Sequence, residues 1–305
     1  MLEILGKTNI DFIGRRKYAF ILSGILAFIG FWAIFQIIRG EANLGIDFAG
    51  GTAVQLKFDQ PIRIDEARRL LDSKGFVDTE LQEFTRDNKL LIRVKKLTAI
   101  QEKVAERIVQ VFQEGFPDNR FVIDSSTEIG PTIGEKLRKN AVVAVIISMI
   151  AILTYIAMRF EFRFGVAATI ATFHDVLAVL GIFYILDKEI NLLLITALLT
   201  LAGYSLTDTV VVFDRIRENL RQRRRDSFEQ IINSGVNQVL SRTIVVSLTV
   251  LLSTIALFFF GGEVIHDFAL ALMLGVLVGT YSSIFVASPI LILWKGHPGK
   301  LLKRG

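Results

Sequence analysis

The sequence predicts a polytopic α-helical membrane protein with six transmembrane helices. One extracytoplasmic α+β domain of the ferredoxin-like type (βαββαβ) is predicted between the first two helices. The chain of 305 residues is 52% hydrophobic with a mean hydropathy of +0.50, and six windows are long and uncharged enough to cross a bilayer. Between the first two windows, the segment 39–140 changes to the composition of a water-soluble domain.

The six predicted spans are Tyr18–Ile38, Ala141–Met158, Phe164–Leu186, Asn191–Phe213, Thr243–Phe260 and Phe268–Trp294. The last five form one bundle over 141–294. The first span is too long for the hydrophobic part of a signal peptide and lacks a convincing small-residue cleavage site. We therefore expect it to stay in the protein as an anchor.

Basic residues predict the orientation of the spans. They precede the first span, follow the second and the fourth, and close the chain: Lys7, Arg15, Arg16, Lys17, Arg159, Arg163, Arg215, Arg217, Arg221, Arg223, Arg224, Arg225, Lys295, Lys300, Lys303 and Arg304. In the alternate short loops, after the third and fifth spans, Lys188 is the one lysine or arginine. By the positive-inside rule, the termini 1–17 and 295–305 and an Arg-rich loop 214–242 face the cytoplasm, and the domain 39–140 lies outside it.

The net charge of +5 follows from this topology. Its excess lies in loops beside lipid headgroups, where anionic lipids attract it. We therefore expect no nucleic-acid partner.

The soluble segment shows the element order of a split βαββαβ sandwich. Alternating or helical apolar spacing predicts strands at Thr52–Phe58, Thr79–Thr85, Lys89–Lys95 and Arg120–Ser125, and helices at Asp65–Lys74 and Thr98–Phe112. The pair Gly50-Gly51 predicts a tight turn rather than an anion site. The glycines and the proline of Ile129–Gly134 predict a break in regular structure before the second span.

No pattern in the chain predicts an enzyme. The segment 39–140 contains no histidine or cysteine, and its acidic residues are scattered over helix faces. The whole chain has no cysteine and no G-x-x-x-x-G-K-[ST] phosphate-binding loop. We expect no ATPase activity, no cofactor and no metal site, and a binding or mechanical role for the soluble domain.

The most informative residue is Asp208, a carboxylate inside the fourth predicted span. A charge near the centre of a bilayer costs roughly 2.5–3.5 kcal/mol on insertion scales, so such a residue is a functional candidate by default. It lies six residues before Asp214, hence about 9 Å inside the cytoplasmic interface. The alternative is that this carboxylate only holds helices together by a hydrogen bond or an ion pair.

Three further ionisable residues accompany Asp208 in or at the edge of the membrane. His174 and Asp175 lie deep in the third span, and Arg242 precedes the fifth span on the side of Asp208. Desolvation favours the protonated form of a carboxyl group and an approaching arginine favours the charged form, so helix movement could load and unload a proton. His174 is equally compatible with a packed, hydrogen-bonded core residue. The site predicted for proton translocation is Asp208, Arg242, Asp175 and His174.

The segment Asp226–Ser241 predicts an amphipathic helix on the cytoplasmic side. Ser227 and Gln230 have capping-box spacing. A narrow apolar stripe follows at Ile232, Val236, Val239 and Leu240. We interpret this segment as an interfacial helix that lies on the membrane and leads into the fifth span.

These motifs together resemble the SecD/SecF family of the resistance-nodulation-division superfamily, and within it the smaller, SecF-type subunits. The similarity rests on GIDFAGGT (45–52), IGPTIG (129–134), MRFEFRFG (158–165), FHDV (173–176), GYSLTDTVVVFDRIREN (203–219), LSRT around Arg242 and FGG (260–262). It covers nearly the whole chain. One departure is Thr207, where the family motif usually has Asn; a threonine can still form a hydrogen bond.

The resemblance implies an accessory subunit of the preprotein translocase in the bacterial inner membrane. Its partners would be SecD, the SecYEG channel, YajC and the exported preprotein, and the proton-motive force would drive it. Asp208 would be the proton-carrying carboxylate, Arg242 its charged counterpart and Asp175 the third-span acid of the family. The soluble segment would be the periplasmic domain.

Two other functions remain open from the sequence. In the first, the chain is a structural scaffold in which Asp208 and Arg242 form a static ion pair. In the second, it is a proton-driven exporter of small solutes. The small size of the soluble domain argues against the exporter, because drug pumps of that superfamily carry much larger domains.

Overall fold

A computed structural model of the protein describes residues 8–76, 79–85, 87–95, 103–222 and 226–293, together with all their side chains except that of Glu263. The helices are α1 (Arg16–Arg39), α2 (Ile46–Ala49), α3 (Ile64–Ser73), α4 (Val104–Gly115), α5 (Pro131–Arg159), α6 (Phe162–Ile185), α7 (Leu192–Gln222), α8 (Phe228–Phe260), α9 (Glu263–Ser282) and α10 (Ser288–Leu293). The strands are β1 (Gly51–Phe58), β2 (Thr79–Phe84), β3 (Lys89–Lys95) and β4 (Phe121–Ile129).

Several expectations lie outside the described residues. They are the positions of Lys7 and Arg223 to Arg225, the first residues of the helix predicted at Thr98, the end of the last span at Trp294, and the tail 295–305. The chain divides into two compact units, one spanning Leu44–Val143 and the other formed by the residues on either side of it.

The unit Leu44–Val143 contains the predicted four-stranded sheet. Its strands are antiparallel in the order β2-β3-β1-β4, the order of a ferredoxin-like fold, so the fold prediction is confirmed. Val54 and Leu56 of β1 lie opposite Ile92 and Leu90 of β3, and all four side chains are buried. A slip of one residue would turn them away from the core, and this fixes the register. The buried sides of α3 and α4 complete that core.

Before the second span, the predicted break is wrong. β4 continues to Ile129 and α5 begins at Pro131, so Gly130 alone separates strand from helix. A proline fits the first turn of a helix because that position needs no N–H donor. The proline and glycines of this motif therefore mark a helix start rather than a loop.

The glycine pair predicted to form a tight turn lies where α2 meets β1: Gly50 follows α2, and Gly51 is the first residue of β1. Gly50 and Gly51 have φ values of +74° and +145°. A Cβ atom on Gly51 would lie 2.4 Å from the backbone oxygen of Val94 in β3. Position 51 therefore excludes every side chain.

Gly51→Ala is expected to destabilise the soluble unit by about 1–3 kcal/mol, because the new methyl group meets backbone that cannot rotate away. Thermal denaturation and limited proteolysis of the whole protein measure the effect. Gly130→Ala is the matched control, since a Cβ there meets no atom within 4 Å and φ is not positive. Equal stability of both variants would contradict this account.

The second unit contains six helices long and apolar enough to cross a membrane, which confirms the predicted number of spans within the described residues. They are α1, α5, α6, α7, α8 and the segment from Val264 to Leu293. α6 is the central helix: most of its length is buried, and α1, α7 and α9 pack against it. α5 is peripheral, with exposed apolar side chains including Val142, Ile146, Ile150 and Met158.

The contact between α1 and α6 depends on two glycines. A Cβ atom on Gly30 would lie 2.3 Å from the carbonyl oxygen of Leu177, and one on Gly181 would lie 2.8 Å from the backbone nitrogen of Gly30. Small residues of this kind let membrane helices approach at backbone distance. The two glycines therefore set the spacing of these helices.

The predicted separate interfacial helix is wrong. α8 is one continuous helix of 33 residues, about 50 Å long at 1.5 Å per residue and longer than a hydrocarbon core of about 30 Å. The predicted capping box is present, with Ser227 and Gln230 bonded in both directions. The apolar stripe packs on α7 rather than on lipid, because Gly235 lets the backbone approach Ile216.

The segment 214–242, expected as an Arg-rich loop, is therefore mostly helical. α7 continues to Gln222 and α8 begins at Phe228. The apolar side chains that join the two extensions are buried: Phe213, Ile216, Leu220, Ile231, Ile232 and Val236. This packing explains why neither helix ends at the predicted membrane boundary.

The chain before α1 is bound to the N-terminal part of α8 by two asparagines. The side chain of Asn237 accepts from the Ile10 N–H at 2.8 Å and donates to the Ile10 carbonyl at 2.9 Å. Asn233 accepts from the Phe12 N–H at 2.9 Å and also donates to the Ile10 carbonyl, at 3.0 Å. These four bonds, called the asparagine clasp below, satisfy backbone groups of a segment that has no regular secondary structure.

Candidate functional site

A buried carboxylate lies where α6, α7 and α9 meet. Asp175 of α6 is fully buried, and its Oδ2 accepts hydrogen bonds from Ser205 of α7 and, at 2.7 Å, from Ser282 of α9. Its Oδ1 lies 3.0 Å from Nδ1 of His174. Both oxygens of this acid therefore have polar partners inside the bundle, as a buried carboxyl group requires.

Small residues bring the helices close enough for the short serine side chains to reach Asp175. A Cβ atom on Gly279 of α9 would lie 3.2 Å from the Cβ atom of Ser205, and one on Gly275 would clash with Leu201. The backbones of α7 and α9 are therefore close enough for hydroxymethyl groups to reach a carboxylate on α6. The neighbouring part of α6 also has small buried side chains, those of Ala167, Ala168 and Ala171.

Asp208 forms a second, more accessible carboxylate site on α7. Its Oδ2 accepts a hydrogen bond of 2.7 Å from Ser283, and its side chain is partly buried. Tyr204, one turn earlier on α7, and Arg242 of α8 are its ionisable neighbours within the described chain. The described residues contain no ion pair between Asp208 and Arg242, although the arginine is close enough to act on the carboxylate through its charge.

The predicted residues thus form two pairs rather than one cluster. His174 is bonded to Asp175, and Arg242 faces Asp208 without a direct bond. Nε2 of His174 is buried and has no hydrogen-bond partner in the described chain. Thr207, the departure from the family motif, donates to the carbonyl of Gly203 within its own helix at 3.0 Å.

The three serines that bind the carboxylates were missed from the sequence. Ser205, Ser282 and Ser283 are small hydroxyl residues in apolar helices, where such residues commonly bond to their own backbone. The adjacent pair Ser282-Ser283 in the last span is the one available signal, and on its own it does not indicate a site.

A π-helical turn begins at the second of these serines. It spans Ser283–Ala287 between α9 and α10, and the Ser288 hydroxyl donates to the carbonyl of Ser283 at 2.9 Å. Single π-turns inside α-helices often occur at functional sites. Here the turn lies beside Asp208.

Charged residues join the end of α5 to α7 in the same bundle. Asp214 of α7 binds Arg159 of α5 and Arg217, each at 3.1 Å, and both arginines lie over the ring of Phe160. Burial raises the pKa of Glu161 above its usual range, although Arg217 and two other arginines act to lower the pKa. Across the described residues, no group of three or more His, Cys, Asp and Glu side chains could hold a metal ion.

Two family models match the chain. The model described as "Protein export membrane protein SecD/SecF, C-terminal" matches residues 110–297, and the model described as "SecD/SecF GG Motif" matches residues 42–62. The second range contains Gly50 and Gly51, where α2 meets β1.

Curated relatives match over nearly the full length. The chain is 56% identical over 295 residues to the protein translocase subunit SecF of Thermodesulfovibrio yellowstonii, covering 96% of this chain and 97% of the relative. It is 40% identical over 298 residues to the protein translocase subunit SecF of Calditerrivibrio nitroreducens, with the same coverages.

Solved structures show the same fold. The crystal structure of SecDF, a translocon-associated membrane protein from Thermus thermophilus, matches with a TM-score of 0.82 and 38% identity over 94% of this chain. This chain spans 39% of that longer chain. A SecDF structure in a super-membrane-facing form matches with a TM-score of 0.68 and 37% identity, covering 95% of this chain and again 39% of the other.

Proposed function

We propose, on the premise that this chain belongs to the SecD/SecF family of protein export membrane proteins, that it converts the proton-motive force into movement that promotes export. The family makes the chain an accessory subunit of the Sec translocase and a multi-pass inner-membrane protein. The proposal adds the energy source, the partner and the residues. SecD is the proposed partner, because a relative whose printed name is SecDF contains this fold within a much longer chain.

The observation that carries the proposal is the environment of Asp208. This carboxylate lies in a membrane-spanning helix and accepts a hydrogen bond from Ser283. The Thr243 hydroxyl and an arginine lie nearby, and the described residues contain no ion pair to that arginine. A proton can therefore bind or leave without breaking an ion pair. The charged form attracts Arg242, and the protonated form does not. Each protonation state consequently favours a different distance between α7 and α8.

The energy of one proton is sufficient to bias such a pair of states. One elementary charge moving down a potential of 100 mV supplies about 2.3 kcal/mol. At about 1.4 kcal/mol per factor of ten, this shifts a two-state equilibrium by roughly fortyfold. In this proposal both termini face the cytoplasm, the sheet domain faces the periplasm, and the complex works beside SecYEG, with YajC as a further component.

A structural scaffold is the alternative with a specific structural requirement. It needs a static ion pair between Asp208 and Arg242, and the described residues form none. A small-solute exporter finds no support among the matching relatives, which are named as translocase subunits. We therefore keep export as the proposed function.

The proposed energy source is tested in inverted membrane vesicles that contain the subunit and a preprotein stalled late in transport. After ATP is exhausted, chain movement is followed while an uncoupler or a potassium ionophore collapses the proton gradient or the electrical potential. We expect movement to stop when the proton-motive force is removed. Movement that continues unchanged would contradict the proposal.

The proposed partner is tested separately by purification through a tag on this chain. We expect co-purification of a second six-span subunit with its own intramembrane acid, because inverted or parallel repeats of transporters place their sites at the interface between two halves. Recovery of this chain without such a subunit would contradict the pairing.

A further inference from the structure

Two consecutive serines of the last span bind two different intramembrane carboxylates. Ser282 donates to Asp175 and Ser283 donates to Asp208, each at 2.7 Å; the backbone carbonyls of Gly279 and Thr280 are the longer alternative acceptors, at 3.3 and 3.1 Å. Neighbouring residues of a helix point about 100° apart, so one backbone turn reaches both acids. One peptide bond between the two serines therefore connects the site of Asp175 on α6 to the site of Asp208 on α7.

The two acids are held very differently. Asp175 is fully buried and has three partners, His174, Ser205 and Ser282. Asp208 is partly buried; its Oδ2 accepts from Ser283, and the Thr243 hydroxyl and Arg242 of α8 lie nearby. Asp175 is therefore the fixed end of this link, and Asp208 is the end whose surroundings can change.

The backbone at the link departs from regular helix. Ser283 is the first residue of the π-turn, and its carbonyl accepts from the Ser288 hydroxyl rather than depending on the backbone ladder alone. A π-turn is one wider turn of backbone inside an α-helix, and such turns are frequent at functional sites. Ser283 thus begins the irregular part of the helix, and Ser282 ends its regular part.

We propose that Ser282 and Ser283 are positioning residues that couple the two carboxylates: Ser282 anchors the turn to Asp175, and Ser283 is thereby aimed at the charged form of Asp208. The inference rests on the proposed function, in which Asp208 carries the proton. Its consequence is that loss of the anchor at Asp175 changes the proton affinity of Asp208 without touching Asp208.

The surroundings allow this coupling to be isolated. The ionisable groups beside Asp208 in the described chain are Tyr204 on its own helix and Arg242 on α8, and the one beside Asp175 is His174. Substitution of Ser282 alters none of them. Loss of the Ser282 donor favours protonation of Asp175, and removal of that negative charge would by itself lower the proton affinity of Asp208. A rise in the proton affinity of Asp208 in a Ser282 variant must therefore pass through the turn.

The test measures the protonated fraction of Asp208 in the assembled complex. A hydrophobic carbodiimide reacts with protonated carboxyl groups in membranes, and mass spectrometry quantifies the adduct on the Asp208 peptide across pH. A hydrogen bond to a charged group contributes enough that Ser283→Ala should raise the labelling midpoint by about one to two pH units. Ser282→Ala should raise it in the same direction by at least about half a unit.

Two variants serve as controls. Tyr281→Phe changes the preceding residue, whose hydroxyl binds the Ala19 carbonyl of α1 and neither acid, so its midpoint should equal that of the wild type. Ser283→Thr keeps a hydroxyl and should return the midpoint towards the wild-type value. If Ser282→Ala does not assemble, Asp175→Asn takes its place, because it weakens the same anchor from the other side.

A wild-type midpoint in the Ser282 variant would overturn the coupling, whether or not the Ser283 variant is shifted. A midpoint shifted equally by Tyr281→Phe would overturn it too, since the effect would then be general to this helix. The measurement reports protonation and not transport. Its result therefore stands even if Asp208 proves dispensable for export, and the two proposals can fail separately.

Discussion

Asp208→Asn is expected to abolish the part of export that depends on the proton-motive force while leaving the amount of assembled complex unchanged. An asparagine has the shape of the carboxylate, and its carbonyl can still accept the bond from Ser283, but it cannot exchange a proton. The roughly fortyfold bias available from one proton at 100 mV is then lost. The measurement is transport of a stalled preprotein in energised vesicles, with the recovered complex quantified in parallel.

The matched control is Asp214→Asn on the same helix. It removes a carboxylate six residues later, outside the apolar region, where Arg159 and Arg217 bind it. We expect this variant to keep the part of export that depends on the proton-motive force. Normal stimulation in the Asp208 variant would refute the mechanism. Poor recovery of the complex in that variant would favour the scaffold function instead.

Gly30→Ala is expected to lower the stability of the helix bundle by about 1–3 kcal/mol, the usual cost of overpacking a close contact. The added methyl group would lie 2.3 Å from the Leu177 carbonyl oxygen of α6. That atom belongs to a helix backbone, so relief requires the two helices to separate. Thermal unfolding of the purified protein in detergent measures the loss.

Gly24→Ala tests whether the contact, rather than the substitution itself, causes the loss. Gly24 lies in the same helix, and a Cβ atom there meets nothing within 4 Å. Alanine favours helix over glycine by roughly 0.5–1 kcal/mol, so this variant should be as stable as the wild type or slightly more stable. If both variants lose stability equally, the contact between Gly30 and Leu177 is not the reason.

The fold class followed from the sequence because its signals are local and strong. Six long apolar windows predicted the six helices, and alternation in segments such as Lys89–Lys95 predicted strands with nearly correct ends. The predicted helix ends were wrong where the sequence becomes polar but the helix continues. α5 begins at Pro131 because the first turn of a helix tolerates proline. α8 begins at Phe228 because its N-terminal extension packs its apolar side chains on α7.

The candidate site was predictable only in its charged members. Hydropathy singled out Asp208 and Asp175, since an intramembrane carboxylate is costly wherever it points. The described residues contain no direct ion pair between Asp208 and Arg242, and the bonded partner of Asp208 Oδ2 is Ser283. Serine costs little in an apolar helix, so nothing in a single sequence distinguishes one that binds an acid from one that bonds to its own backbone.

The asparagine clasp has a consequence for biosynthesis. Asn233 and Asn237 are synthesised more than 220 residues after Ile10 and Phe12. Translation proceeds at about 5–20 residues per second, so the segment before α1 waits on the order of ten seconds or longer for its binding groups. Until then its backbone N–H and carbonyl groups are open to water, lipid headgroups or an insertion factor, and the start of α8 must be made before this segment is fixed.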